Sequence, residues 1–226
     1  MIKYIIKSII SLVAKPLEKR HVFITGSLQF LKRPRSIETN YFDYIRLSTL
    51  ELVAKEINTR KLQGNVAELG VYKGGFAKLI NAYFPDRSLY LFDTFEGFDR
   101  RDVAIEKSKG FSTASQDFSN TSVESVLKVM PYPEKCIPKV GFFPETAQEV
   151  TGQFVFVSLD ADLYDPIFNG LKFFYPKLVS GGYIFIHDFN NDDYKGARKA
   201  VEQFCEEEHI NFLPLPDLCG TAIITK

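Results

Sequence analysis

Hydrophobic residues recur along this chain with two different periods, and the change comes near residue 65. Before it, Ile2, Ile5, Ile6, Ile9, Ile10 and Val13 follow the i, i+3, i+4, i+7 spacing of a helix. Lys3, Lys7, Ser8, Ser11 and Lys15 fall on the opposite face. The pattern predicts an amphipathic helix over 2–17, limited by Pro16. Residues 20–40 are basic and irregular. A second helix is predicted from Tyr41 to Arg60, with Ile45, Leu47, Leu50, Val53 and Ile57 as its apolar positions. Residues 1–60 thus form a helical appendage, and 61–226 the main domain.

From Asn65 short apolar runs alternate with helical stretches. Strands are predicted at Val66–Leu69, Ser88–Asp93, Cys136–Val140, Phe154–Asp160 and Tyr183–His187. Helices are predicted at Phe76–Phe84, Val123–Met130, Tyr164–Leu178 and Tyr194–Glu207. Runs too apolar for one-sided burial, each followed by a helix, imply a parallel sheet covered on both faces. Asn211–Leu215 and Thr221–Thr225 are too close for a parallel crossover and must form an antiparallel hairpin. The fold class is therefore α/β: a doubly wound, Rossmann-like sheet of five parallel strands with a C-terminal hairpin. Residues 97–122 show weak periodicity and predict a long loop, of the kind that acts as a lid.

Composition adds an asymmetry. The 226 residues carry 28 basic and 28 acidic side chains, a formal net charge of zero. Residues 1–35 hold eight basic residues against Glu18 alone, or +7, so the other 191, with 20 basic and 27 acidic, carry −7. Three cysteines without metal-ligand spacing fit reduced thiols and a cytoplasmic protein. Lys7 interrupts the first apolar stretch and no small-x-small cleavage pattern follows Ala14, so a secretory leader is not expected. The basic arm lacks interleaved aromatics and the acidic body repels phosphates, which argues against nucleic acid.

Ligands on such sheets bind at the carboxyl ends of the strands. The first strand runs into Glu68-Leu69-Gly70-Val71-Tyr72-Lys73-Gly74-Gly75, whose glycines allow a tight turn and close approach of a ligand. This is not GxGxxG, and Glu68 would repel a pyrophosphate; it suits a cationic ligand such as S-adenosylmethionine. Asp93, ending the second strand, is placed to accept ribose hydroxyls. Either acid alone also fits an ordinary solvated strand end. Asp160 and Asp188, at the tips of strands that can be neighbours, would need a proton or cation between them. Oxygen ligands suit Mg²⁺, and the imidazole of His187 widens the choice to Mn²⁺. The alternative is that these aspartates cap helices, with Asp162 or Asp165 as N-cap near Pro166.

These segments, with Leu91-Phe92-Asp93-Thr94-Phe95-Glu96-Gly97-Phe98, Leu159-Asp160-Ala161-Asp162-Leu163-Tyr164 and Gly181 to Phe189, resemble the TylF/MycF (macrocin O-methyltransferase) family. The likeness runs from about residue 46 to the end. It implies a class I, S-adenosylmethionine-dependent O-methyltransferase using a divalent metal and methylating hydroxyls of sugars or glycosylated natural products. By position it places Glu68, Gly70, Tyr72, Gly74, Gly75, Asp93, Thr94 and Phe95 at the cofactor, and Asp160, His187 and Asp188 at the metal. His187 stands where the family has an acid, and either it or Asp162 could serve as general base.

Two other readings stay open. One is a nicotinamide-dependent oxidoreductase on a similar sheet, against which Glu68 and the missing GxGxxG argue. The other is a partner- or membrane-binding module, because a basic amphipathic helix such as 2–17 can lie peripherally on an anionic inner membrane face. The other possibility for that helix is packing on the domain or in a homo-oligomer.

Overall fold

The computed structural model of the chain describes Leu12, Ala14, Pro16, Leu17 and residues 43–226. The chain divides into two compact units, Met1–Arg33 and Pro34–Lys226. In the first, the four described residues are helical, within the predicted 2–17. The isoleucine stripe over 2–13 and the basic stretch 20–40 lie outside the described residues. Among the described residues no helix is long and apolar enough to cross a membrane.

The second unit opens with α1 (Tyr44–Thr59). There follow β1 (Asn65–Leu69), α2 (Gly75–Tyr83), β2 (Leu89–Asp93), α3 (Arg100–Ser108), α4 (Val123–Val129), β3 (Cys136–Val140) and β4 (Phe154–Leu159). Then come α5 (Tyr164–Lys177), β5 (Leu178–Ile186), α6 (Lys195–Glu207), β6 (Leu213–Leu215) and β7 (Thr221–Thr225). The sheet order is β3-β2-β1-β4-β5-β7-β6. Strands β1 to β5 pair in parallel, and β7 runs antiparallel between β5 and β6. This is the predicted parallel sheet with a terminal hairpin.

Alternating side chains feed two separate cores. Leu69, Phe92, Val157, Leu159 and Ile186 pack with Phe174 of α5 and Phe204 of α6 on one face. Val66, Leu91, Phe156 and Phe185 pack on the other with Leu50 and Ile57 of α1, Ile80 of α2 and Val126 of α4. Helix α1, assigned from sequence to the appendage, therefore supplies part of the main core, and the border of the compact unit falls after Arg33 rather than at residue 60. The change of apolar period near residue 65 suggested the border at 60, but the apolar stripe of α1 needs the sheet to cover it. Ile45, expected on that stripe, is exposed, and Arg46 points inward instead.

The predicted loop 97–122 contains a helix, α3, N-capped by Asp99. No apolar period announced it because its buried residues are Asp102 and Glu106. Glu106 is fully buried and acts as a cap for two other helices. Its Oε2 accepts from the Tyr164 N–H at 2.9 Å, and its carboxylate also accepts from the Gly196 N–H in the first turn of α6. Ser112 donates to Oε1 at 3.0 Å. Burial raises the Glu106 pKa, while these donors act against the rise. Neither Asp162 nor Asp165 caps α5, whose N-cap position is Leu163 without a side-chain bond. Glu106→Ala is expected to cost roughly 2–4 kcal/mol, because it leaves several buried donors unmade. Urea unfolding monitored by circular dichroism measures it; a loss below about 0.5 kcal/mol would show that water replaces the carboxylate.

Candidate active site

The pleat decides which strand-end residues meet. Glu68 and Ser158 are register partners on β1 and β4, on the face covered by α1 and α2. Two residues on, Asp160 continues that side. Helix α1 crosses here and inserts Arg46, whose Nη1 and Nη2 each lie 3.0 Å from Asp160 Oδ2. Nη2 also donates to Ser158 Oγ at 3.3 Å, and the guanidinium lies 3.8 Å over the Phe76 ring. Arg46 is 3% exposed. Its signal in the sequence was a charged residue on the buried stripe of a helix, which requires an acid elsewhere in the fold.

His187 follows β5, and its Nδ1 lies 3.1 Å from Asp160 Oδ1 and 3.0 Å from Asp188 Oδ2. Nε2 is 3.1 Å from the carbonyl oxygen of Leu218, which can only accept. Asn191 donates to Asp188 Oδ1 at 2.8 Å. Burial opposes charge on both Asp160 and His187, yet their mutual attraction prevails. With Arg46 beside it, Asp160 is held well below the usual carboxylate range, and His187 is pushed up to about 10. Burial and the neighbouring charges of Asp188 and Asp160 push Asp162 well above its usual value. Both Asp162 and Asp188 take positive φ, 57° and 60°, a conformation that non-glycine residues adopt mainly where the surroundings impose it.

The donor set fits a divalent cation. Asp160 Oδ1, His187 Nδ1 and Asp188 Oδ2 converge within 4.8 Å. Their 3.0–3.1 Å separations from Nδ1 match adjacent ligands in an octahedral shell of about 2.1 Å bonds. Donation from Nε2–H to Leu218 sets the tautomer that leaves Nδ1 a ligand, the usual outer-shell arrangement. A second convergence, of Asp43, His187 and Asp217, is tied into the structure instead. Asp43 accepts from the Arg46 and Leu218 amides, and Asp217 from the amide and hydroxyl of Thr221.

A cavity of about 490 Å³ opens beside this cluster. Glu68, Gly70, Tyr72, Gly75, Asp93, Thr94, Asp160, Asp162, His187 and Asp188 all line it. Gly74 and Phe95, also expected at the cofactor, are not among the lining residues. Gly74, at φ 76°, turns the chain into α2, and a Cβ there would meet Met130 of the segment after α4 at 2.9 Å. Phe95 donates its amide to Asp93 Oδ1 at 2.7 Å. The other oxygen of Asp93 accepts from the Val71 and Tyr72 amides, so this carboxylate also holds the glycine turn in place. Glu68 is buried with Oε2 lacking a hydrogen-bond partner. Burial first, then the Asp160 charge, raises its pKa well above the carboxylate range. A buried acceptor of this kind at the cavity wall fits an ammonium or sulfonium ligand.

The segment after α3 crosses the cavity. Phe118 packs edge-on against Tyr72 and Phe98, at 5.0 and 5.1 Å between centroids, and Phe98 meets Tyr194 at 6.1 Å. Tyr72 donates to Asn120 and Tyr194 to Gln116. Tyr72, Phe98, Phe118 and Tyr194 all line the cavity.

Comparison with known proteins identifies the family. Residues 17–224 match the family described as Macrocin-O-methyltransferase (TylF). A tetracenomycin rhamnosyl 4'-O-methyltransferase of Streptomyces olivaceus is 23% identical over 196 residues, covering 80% of this chain and 72% of that protein. The mycinamicin III 3''-O-methyltransferase of Micromonospora griseorubida is 24% identical over 191 residues, covering 74% and 70%. The solved O-methyltransferase NovP superposes with a TM-score of 0.67 at 19% identity, covering 80% of this chain and 79% of that one. The chain belongs to the TylF macrocin O-methyltransferase family and is an S-adenosylmethionine-dependent O-methyltransferase on the class I fold.

Proposed function

We propose that this enzyme methylates a hydroxyl of a sugar carried by a natural product or polysaccharide precursor. The observation that carries the proposal is the acid cluster Asp160, Asp162, His187 and Asp188 on the wall of the same cavity as Glu68 and Asp93. S-adenosylmethionine supplies a methyl group on a sulfonium, with its ammonium at Glu68 and its ribose at Asp93. A divalent cation held by Asp160, His187 and Asp188 would polarise the acceptor oxygen and lower its pKa. The acceptor oxygen attacks the methyl carbon as the carbon–sulfur bond breaks, and the hydroxyl proton leaves to a carboxylate.

Asp162, once ionised, is the proton acceptor, since burial beside other acids gives it a high proton affinity. His187 acts by position: Nε2–H donates to the Leu218 carbonyl and Nδ1 faces Asp160 and Asp188, where a cation would sit, so neither nitrogen is left for the substrate. Arg46 keeps Asp160 ionised and oriented. The rhamnosyl group named for the Streptomyces olivaceus relative supports a sugar hydroxyl as the target.

Isothermal titration with S-adenosylhomocysteine, then radiolabelled methyl transfer to a panel of deoxysugar glycosides, tests this. The wild type is expected to bind one equivalent and to label a sugar. Asp160→Asn should retain the fold and lose at least about 100-fold in turnover. Binding of a nicotinamide cofactor instead, or equal turnover by the variant, would overturn the proposal.

A further inference from the structure

Glu106 is not among the residues that line the cavity, yet every donor to its carboxylate belongs to a segment that is. Those donors are the Tyr164 N–H at the start of α5, the Gly196 N–H in the first turn of α6, and the Ser112 hydroxyl after α3. Asp162 stands two residues before Tyr164, Tyr194 two before Gly196, and Gln116 four after Ser112. Asp162, Tyr194 and Gln116 all line the cavity.

These three cavity residues also act on one another. The Tyr194 hydroxyl donates to Gln116 Oε1 at 3.2 Å. Burial, and then the charges of Asp162 and Asp188, push the Tyr194 pKa up to about 12, so the phenol stays protonated within reach of both carboxylates. One buried carboxylate thus ties together, from behind, the three pieces of chain that carry this group.

A carboxylate suits the task because its two oxygens accept several donors at once without water. Ser112 passes the tie onward: its Oγ accepts from the Ala114 N–H at 3.3 Å while donating to Glu106. Gly196 leaves the room for it. A Cβ at Gly196 would lie 2.5 and 2.7 Å from the two carboxylate oxygens of Glu106. The cofactor acids Glu68 and Asp93 stand on β1 and β2, outside the three tied segments.

We propose that Glu106 is a positioning residue for methyl transfer, fastening three segments at one buried point so that Asp162, Tyr194 and Gln116 take their places around the acceptor. The proposal rests on the methyl-transfer reading of the cavity, with Asp162 as the proton acceptor. Glu106 acts through backbone placement, and a displacement of about 1 Å near the reacting atoms can cost about 100-fold in rate.

The experiment compares Glu106→Ala, Glu106→Gln and Ser112→Ala with the wild type. Calorimetry with S-adenosylhomocysteine counts the competent sites and gives Kd. Initial-rate labelling of the deoxysugar glycoside that the wild type methylates best gives kcat per competent site and KM. Glu106→Ala is expected to lose about 100-fold in kcat/KM for the glycoside, with Kd for S-adenosylhomocysteine within about threefold of wild type. Glu106→Gln keeps an accepting oxygen and should recover most of that loss. Ser112→Ala cuts only the tie to Gln116, so KM should rise about 3–10-fold with kcat nearly unchanged. A purely structural role would lower the number of competent sites and leave Kd, KM and kcat per site as they are. That result in Glu106→Ala, or an unchanged KM in Ser112→Ala should Glu106→Ala not fold, overturns this inference alone. A wild type that labels no glycoside overturns the proposed function and this inference together.

Discussion

Arg46→Met is expected to destabilise the protein by roughly 2–4 kcal/mol at pH 7, lowering Tm by about 10 °C. Methionine keeps much of the packing over Phe76, so the loss is mainly electrostatic. Asp160 would stay in the acid cluster without its permanently charged partner, with the His187 imidazolium as its remaining counter-charge. The Asp160 pKa is depressed in the fold, so its contribution is present above the unfolded value of about 3.9 and lost as pH falls through the folded value. The deficit of the variant should accordingly be full at pH 7 and narrow below about pH 4, where the orphaned carboxylate takes a proton. Urea unfolding at both pH values measures it. A deficit that did not change with pH would assign Arg46 a packing role only.

Gly70→Ala is the second large effect, expected to cost roughly 4 kcal/mol or more and to abolish cofactor binding. A Cβ on Gly70 would lie 2.1 Å from the carbonyl oxygen of Asp160 and 2.5 Å from its carbonyl carbon, both backbone atoms. The residue also sits at φ 85°, which disfavours any side chain. Relief requires β1 and β4 to part at their tips, and that separates Glu68 from Ser158 and Asp160. Gly75→Ala is the internal control. A Cβ there meets nothing within 4 Å, so its stability should stay within about 1 kcal/mol of wild type. Thermal melts and S-adenosylhomocysteine titration of both variants make the comparison. Equal behaviour of the two would refute the steric argument.

Much of the sheet was legible because a parallel strand buried on both faces is apolar throughout, as Phe154–Leu159 is. Its crossover helices bury one face, and that face repeats in the sequence. Helix α3 escaped detection for the opposite reason: it turns Asp102 and Glu106 inward, so hydrophobicity carries no trace of its buried side. The individual acids of the site were also legible, each following directly from the end of a strand. Their partners were not. Arg46 lies 114 residues from Asp160, and Glu106 is 58 residues from the helix end it caps.

The sequence by itself determined the order of strands and helices, the hairpin, and which carboxylates and glycines reach the strand ends. These depend on local periodicity and on chain reach, which short segments encode. Only the tertiary structure decided which of those acids are charged. It brings Arg46 and His187 against Asp160, and it buries Glu68 and Asp162 so that their pKa values rise. The physical reason is that a buried charge is governed by desolvation and by neighbours a few ångströms away. Those neighbours come from α1, β1, β4 and β5, which only the folded sheet makes adjacent.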